Sequence, residues 1–334
     1  MSSPGTGRNI VSVENLAITY RTVYGTLKAL NGVNLSVVEG ESVSLVGESG
    51  CGKSTLGLAT VRLLPLNASY SSGRLILDGK DVATMSNRET VAMRGSTAFM
   101  IFQDPLNTLN PVKRVGVQML EAIRSREKHR GTSFNEGEAY KEVVDKLDDV
   151  RMPDPDTIIM RYPHQLSGGQ IQRVVIAMGL LMRPKLMIAD EPTSALDVTV
   201  QAQVLRLMRD LQREYKMSII FITHDINVAY NISDRMVVMY AGEVVEAGEA
   251  GNVTKHALHP YSQALIASVP RTSKDQGRLT SISGSAANMF NPPSGCRFHP
   301  RCPYAMDVCN SRSPPDTEKN GGLVRCFLHG GNAS

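Results

Sequence analysis

Three glycines and a lysine crowd into Gly47-Glu48-Ser49-Gly50-Cys51-Gly52-Lys53-Ser54, directly behind a short apolar run. Glycine is entropically costly in any ordinary helix or strand, so this spacing marks backbone that must bend freely or be approached closely. The pattern is G-x-x-x-x-G-K-S. In such a loop, bare N–H groups wrap a phosphate chain, the lysine reaches the β- and γ-phosphates and the serine hydroxyl reaches Mg²⁺. Lys53 and Ser54 take those two parts, Thr55 is placed for the α-phosphate, and Ser49, Gly50, Cys51 and Gly52 supply loop backbone. A Gly-rich surface turn would share this composition, but the flanks argue against it. ESVSLVG (41–47) reads as a buried strand and KSTLGLATVRLL (53–64) as a helix. The loop therefore ends on a helix N-terminus, where unpaired N–H groups and the helix dipole favour an anion.

Two further stretches fit the same chemistry. In LMIADE (186–191) four apolar residues precede Asp190 and Glu191. A buried strand ending in two carboxylates is expensive unless the charges meet a cation. Asp190 is suited to Mg²⁺, directly or through water, and Glu191 to orienting and deprotonating an attacking water. The competing reading is a strand followed by acidic helix caps; the phosphate loop favours the catalytic one. In HQLSGGQIQRVVIAMGLL (164–181), Ser167 is a good N-cap and the following residues are helical. Ser167, Gly168, Gly169 and Gln170 thus form a second anion site of the same kind.

Elements that could position these groups are visible in the pattern. NIVSVENLAITYRT (9–22) and LNGVNLSVVEG (30–40) alternate like half-exposed strands, and Asp78-Gly79 is a hairpin turn signal inside 73–82. From about 105 to 180 the pattern turns helical. Strand-like runs return at 185–191 and 217–225, followed by a hairpin about Ala241-Gly242. Strands alternating with helices imply an α/β fold with a largely parallel sheet, flanked by an antiparallel patch. After about residue 260 the chain is loop-rich, with NPPSG and SRSPPD as breakers.

The 334 residues allow about two domains, and 42% hydrophobic content is ample for a core. A formal charge of +4 without a dense basic block gives no sign of nucleic-acid binding. The opening MSSPGTGRNI lacks the apolar core of a signal peptide, and the longest apolar run, VVIAMGLLM (174–182), is too short to span a bilayer. Few cysteines, one of them inside the phosphate loop, suggest a reducing compartment.

Phosphate loop, LSGGQ, LMIADE, SALD and ITHD, in that order, resemble the ATP-binding cassette of ABC transporters over about residues 10–255. The resemblance implies a P-loop cassette with an antiparallel β subdomain and a helical subdomain at about 105–180. It also implies an ATPase in which LSGGQ binds the ATP held by a second, identical or homologous cassette. It makes Gln103 in FQDP the glutamine that touches Mg²⁺ and the membrane partner, Asp197 in SALD a residue of the dimer seam, and His224 in ITHD the γ-phosphate switch. Tyr20 lies where the family stacks an aromatic ring on adenine; Tyr24 is a rival, and an ordinary strand tyrosine is the plain alternative.

HPYSQALIASVP (259–270) and GCRFHPRCPYAMDVC (295–309) resemble the C-terminal extension of dipeptide and oligopeptide importer ATPases. That resemblance divides the chain into a nucleotide-binding domain (1–260) and a small loop-rich extension (261–334). It implies two integral membrane permease subunits, an external substrate-binding protein and a peripheral position on the cytoplasmic face of the membrane. Related members serve nickel or oligosaccharide uptake. A soluble ABC ATPase acting on nucleic acid or ribosomes is disfavoured, because only about 110 residues separate Lys53 from Ser167 and there is one cassette. Cys296, Cys302, Cys309 and Cys326 are spaced C-x5-C-x6-C-x16-C. Unrelated thiols fit such crowding poorly, and disulfides are unusual in a reducing compartment. Zinc, completed by His299 or His329, lacks the usual tight ligand pair. A [4Fe–4S] cluster, which some importer ATPases with this tail carry, is the favoured reading.

Overall fold

The computed structural model describes residues 7–105, 108–268 and 282–330. The opening MSSPGT and residues 269–281, inside the expected extension, lie outside the described residues. The chain divides into two compact units, residues 1–83 with 221–334, and residues 84–220.

The first unit begins with two long antiparallel strands, β1 (Asn9–Thr22) and β2 (Gly25–Val38). β3 (Ser42–Val46) is buried at every position, as the apolar run before the phosphate loop requires. α1 (Lys53–Thr60) follows the loop. It stops four residues short of the helix expected over 53–64. Arg62 adopts a left-handed φ of 53°, and the Arg62 and Leu63 N–H groups bond back to the Ala59 and Leu58 carbonyls, a Schellman stop that Arg62 makes without glycine. β4 (Ala68–Leu77) and the short β5 (Lys80–Asp81) complete an antiparallel sheet in the order β2-β1-β4-β5. Asp78 and Gly79 turn the β4–β5 hairpin with φ of 50° and 80°, the positive pair the sequence signals.

The second unit opens with α2 (Asn87–Ser96) and β6 (Ala98–Ile101). The helical run consists of α3 (Val115–Arg130), α4 (Glu136–Asp149), α5 (Pro155–Met160) and α6 (Gly168–Met182). β7 (Leu186–Asp190), fully buried, lies parallel to β6, and α7 (Val198–Tyr215) leads to β8 (Ser218–Thr223), in which the chain returns to the first unit.

There α8 (Ile226–Ile232) precedes β9 (Arg235–Tyr240), which lies parallel to β3, and β10 (Glu243–Glu249), its hairpin partner. α9 (Ala250–Lys255) and α10 (Pro260–Ala267) follow. The tail is less irregular than its prolines and glycines suggest. It holds α11 (Asp307–Ser311) and a hairpin of β11 (Thr317–Lys319) and β12 (Gly322–Val324), and β12 pairs with β10. Tyr261, Leu265 and Phe298 pack with Val46, Val238 and Tyr240 in one apolar cluster, so the tail shares the core under the phosphate loop.

One ion network ties the helices of the second unit. Arg126 of α3, 5% exposed, grips both carboxylate oxygens of Glu142 on α4 at 2.8 Å and donates to the Leu181 carbonyl of α6 at 2.5 Å. Arg183 adds a third bond to Glu142 at 2.7 Å. Burial alone would raise the Glu142 carboxyl; the hydrogen bonds and charges of Arg126 and Arg183 outweigh it and bring it from 4.5 to about 2. Ionised Glu142 therefore stabilises the folded chain above pH 4.5, and that contribution is lost as pH falls towards 2. Glu142→Gln is expected to lower stability by about 2 kcal/mol at pH 7, because it removes the carboxylate that Arg126 and Arg183 share and leaves Arg126 with Glu127 as its carboxylate partner. The deficit should shrink below pH 4, and denaturant titrations across pH check both statements.

Candidate functional site

In the first unit, β3 delivers the chain into a loop with three positive-φ glycines: Gly47 at 153°, Gly50 at 78° and Gly52 at 107°. Lys53, 5% exposed, turns its ammonium into the loop, donating to the carbonyls of Gly47 at 2.7 Å and Glu48 at 3.0 Å. It also meets Cys51 Sγ at 3.7 Å. The Gly242 N–H, at the β9–β10 turn, donates to the Cys51 carbonyl at 2.9 Å. Burial raises the Cys51 thiol, with Lys53 opposing, so Cys51 is a packed thiol. Ser49, Gly50 and Ser54 are exposed along the loop. Tyr20 Oη lies 3.2 Å from Thr55 Oγ1, which sets Tyr20 beside the start of α1. Its rival Tyr24 stands 87% exposed. His224 is exposed one residue beyond β8.

In the second unit, Asp190 ends β7 and is 7% exposed. The chain then leaves the strand abruptly, because Glu191 has a left-handed φ of 43°. A non-glycine residue held there costs on the order of 1–2 kcal/mol, strain that concentrates at working sites. The Glu191 carboxylate accepts a hydrogen bond from Gln103 Nε2 at 3.0 Å, so two residues 88 positions apart meet.

The helix start expected at Ser167 forms. Ser167 Oγ accepts from the Gln170 N–H at 3.4 Å, and Gln170 Oε1 accepts from the Ser167 N–H at 3.0 Å, a closed capping box at the start of α6. Asp197 caps α7, accepting from the Thr199 and Val200 N–H groups at 3.1 and 3.0 Å. Ser167, Gly168, Gly169, Gln170 and Asp197 line one cavity of about 480 Å³. Two arginines that the sequence reading did not single out, Arg151 and Arg173, also line this cavity. Arg173 sits four residues after Gly169, hence on the same helix face, and that spacing was the available signal. Arg151, in the turn after α4, carried none.

The four tail cysteines line one small pocket with His299. Burial raises the Cys296 thiol to about 11, and Cys309, Cys326 and Cys302 push the same way. Cys302 and Cys326 are raised by burial and by their fellow thiols too. Among the described residues no three His, Cys, Asp or Glu side chains are arranged to hold a metal ion. The expectation of a metal at this tail thus finds no closed ligand set. His329 is turned elsewhere, with Nε2 at 2.8 Å from the Leu258 carbonyl.

Residues 30–194 match the model of the ABC transporter family, and residues 245–309 match that of the oligopeptide/dipeptide transporter C-terminal region. The chain is 42% identical to the oligopeptide transport ATP-binding protein OppD of Salmonella typhimurium, covering 97% of this chain and 95% of that one. It is 42% identical to the dipeptide transport ATP-binding protein DppD of Bacillus subtilis, covering 96% and 94%.

The chain belongs to the ABC transporter family.

Its cassette also matches solved relatives. A dimeric ATP-binding cassette, MJ0796, in a post-hydrolysis state with ADP and Pi, superposes with a TM-score of 0.63 at 29% identity, over 72% of this chain and 98% of that one. CbiO1 of Clostridium perfringens, part of a cbiONQ ABC transporter complex, gives 0.63 at 31% identity over 74% and 91%. The fold is the ABC ATPase cassette, and the enzyme is an ATPase coupled to transport. No helix among the described residues is long and apolar enough to cross a membrane.

The glycines of the ABC phosphate loop are not equivalent. A Cβ on Gly52 would lie 2.7 Å from the Ala29 carbonyl oxygen and 2.7 Å from a Leu30 methyl, whereas a Cβ on Gly50 would meet nothing within 4 Å. Gly50→Ala is expected to destabilise by about 1 kcal/mol, the left-handed strain alone, and Gly52→Ala by about 3 kcal/mol. Denaturation midpoints of the two variants measure the difference; equal losses would mean that Ala29 does not constrain the loop.

Proposed function

We propose that this chain is the ATP-hydrolysing subunit of a peptide importer, working with a second cassette, two integral membrane permease subunits and an external substrate-binding protein. The observation that carries this reading is that likeness to oligopeptide and dipeptide transport proteins extends through the C-terminal segment, where residues 245–309 match a transporter-specific region. Residues 1–260 would be the nucleotide-binding domain, with its helical subdomain at about 105–180, and 261–334 the extension. The protein would lie at the cytoplasmic face of the membrane, held there by its permease partners. No nucleic acid enters the cycle.

The residues divide the work as follows. Tyr20 stacks on adenine, its place beside α1 favouring it over the exposed Tyr24. The loop from Gly47 to Thr55 wraps the phosphates, and Lys53 exchanges its carbonyl partners for β- and γ-phosphate oxygens. The donors offered to Mg²⁺ are hard oxygens, Ser54 Oγ and the Asp190 carboxylate, which suit it. Bound there, Mg²⁺ would neutralise phosphate charge. Glu191, oriented by Gln103, takes a proton from the attacking water, and His224 holds the γ-phosphate. Ser167, Gly168, Gly169 and Gln170 meet the ATP of the partner cassette, with Asp197 at the seam.

Glu191→Gln is expected to keep ATP affinity within about twofold and cut turnover at least about a hundredfold in the assembled transporter. ATP should then hold the two cassettes closed, which cross-linking across the seam would register. Turnover near the wild-type rate would exclude Glu191 as the base. In the wild type, peptide-loaded binding protein should stimulate turnover; stimulation by nickel or an oligosaccharide instead would replace the cargo.

Cys296, Cys302, Cys309 and Cys326 are the proposed ligands of a [4Fe–4S] cluster that cross-links the tail. Their common pocket supports this. Zinc is the alternative, but the four-cysteine spacing lacks the tight ligand pair that structural zinc usually takes. Protein purified without oxygen should be brown, and Cys302→Ser should remove the visible absorption. Colourless protein lacking iron overturns the assignment.

A further inference from the structure

Side chains of the C-terminal segment end on the phosphate loop, and the ATP chemistry above gives them no part. His259 caps α10, its Nδ1 accepting the Tyr261 N–H at 3.0 Å, and Pro260 takes the first helical position. These two residues aim Tyr261 into the core, where the ring is fully buried and Oη accepts the Glu48 N–H at 2.8 Å. The H-P-Y triplet thus builds one contact with the loop.

Arg301 builds the other. It closes the turn His299–Arg301 and immediately precedes Cys302. Its two terminal nitrogens meet the two Glu48 carboxylate oxygens at 2.7 and 2.9 Å, and its side chain is 5% exposed. The guanidinium lies over the Tyr240 ring at 5.7 Å, and its Nε donates to the Ser283 carbonyl at 2.9 Å. A planar fork locked this way is fixed in direction as well as charge.

Glu48 is therefore held at every polar group: its N–H by Tyr261, its carboxylate by Arg301 and its carbonyl by Lys53. A carboxylate one residue beyond Gly47 would repel a triphosphate if left unpaired. We propose that Arg301, assisted by Tyr261, is a positioning residue for nucleotide binding: the C-terminal segment holds the phosphate loop in its binding conformation and cancels the Glu48 charge. This rests on the reading of residues 47–54 as the ATP site.

The test uses the full chain and its variants. Affinity for a fluorescent ATP analogue is measured directly, and KM and kcat for ATP in the assembled transporter. Arg301→Gln is expected to raise Kd and KM together by about tenfold while kcat stays near wild type, the loss of one charge-paired contact. Adding Glu48→Gln to Arg301→Gln is expected to recover most of that loss, because the stranded carboxylate is gone; an arginine of merely structural importance would gain nothing from it. Unchanged affinity in Arg301→Gln, or no recovery in the double variant, overturns the proposal. Should Arg301→Gln fail to fold, Tyr261→Phe is read in the same assay. A Kd about threefold weaker is expected from losing one hydrogen bond, and an unchanged Kd overturns the proposal. Wild-type protein that binds no ATP analogue would overturn the reading of the loop itself. Wild-type binding with unaltered variants overturns only the role of the segment.

Discussion

A buried ammonium sets the terms for the rest of this molecule. Lys53 is 5% exposed, and its oxygen partners are the carbonyls of Gly47 and Glu48. Neutral acceptors only partly replace the water that such a charge has lost. An anion would complete the set, so the lysine makes the loop a place that waits for phosphate. It can wait only if the loop is stiff enough to keep the ammonium from swinging out into solvent. β3 provides one stiff wall, buried at all of its positions. β9 provides another, because a Cβ on Gly47 would come within 2.2 Å of the Met239 carbonyl oxygen. The rigidity is a matter of backbone against backbone, and side-chain substitution elsewhere cannot easily supply it.

The second unit solves its own positioning problem with helix ends. Ser167 and Gln170 bond to each other's backbone, and Asp197 spends its carboxylate on two N–H groups. The residues assigned to nucleotide contact thus also close the helices that carry them. Losing one would loosen the scaffold and the contact together. Glu191 differs: its carboxylate is aimed by a left-handed backbone and by Gln103 rather than by a cap.

Much of this was legible because it is local. Strand, glycine loop and helix follow each other within residues 42–60, and the capping box within four residues of α6. The Asp78-Gly79 turn announced itself by residue type. What escaped was either too short to show a period or too distant to leave one. β11 and β12 have three residues each, below the length at which alternation can be seen. The meeting of Arg301 with Glu48 spans 253 positions, and no spacing rule connects them. The early end of α1 escaped because the left-handed stop falls on arginine, where a glycine would have marked it.

The tail has a consequence for the outer rim of its sheet. β10 would offer a free row of N–H and C=O groups there, but β12 occupies it, turned back through Asn320 and Gly321 at φ of 52° and 75°. The backbones come so close that a Cβ on Gly322 would sit 2.4 Å from the Ala247 carbonyl oxygen. The new margin is β11, a strand of three residues with Glu318 and Lys319 exposed. Short, charged borders are poor templates for recruiting further strands. A segment otherwise concerned with cysteines and the phosphate loop therefore also guards the protein against edge-to-edge aggregation.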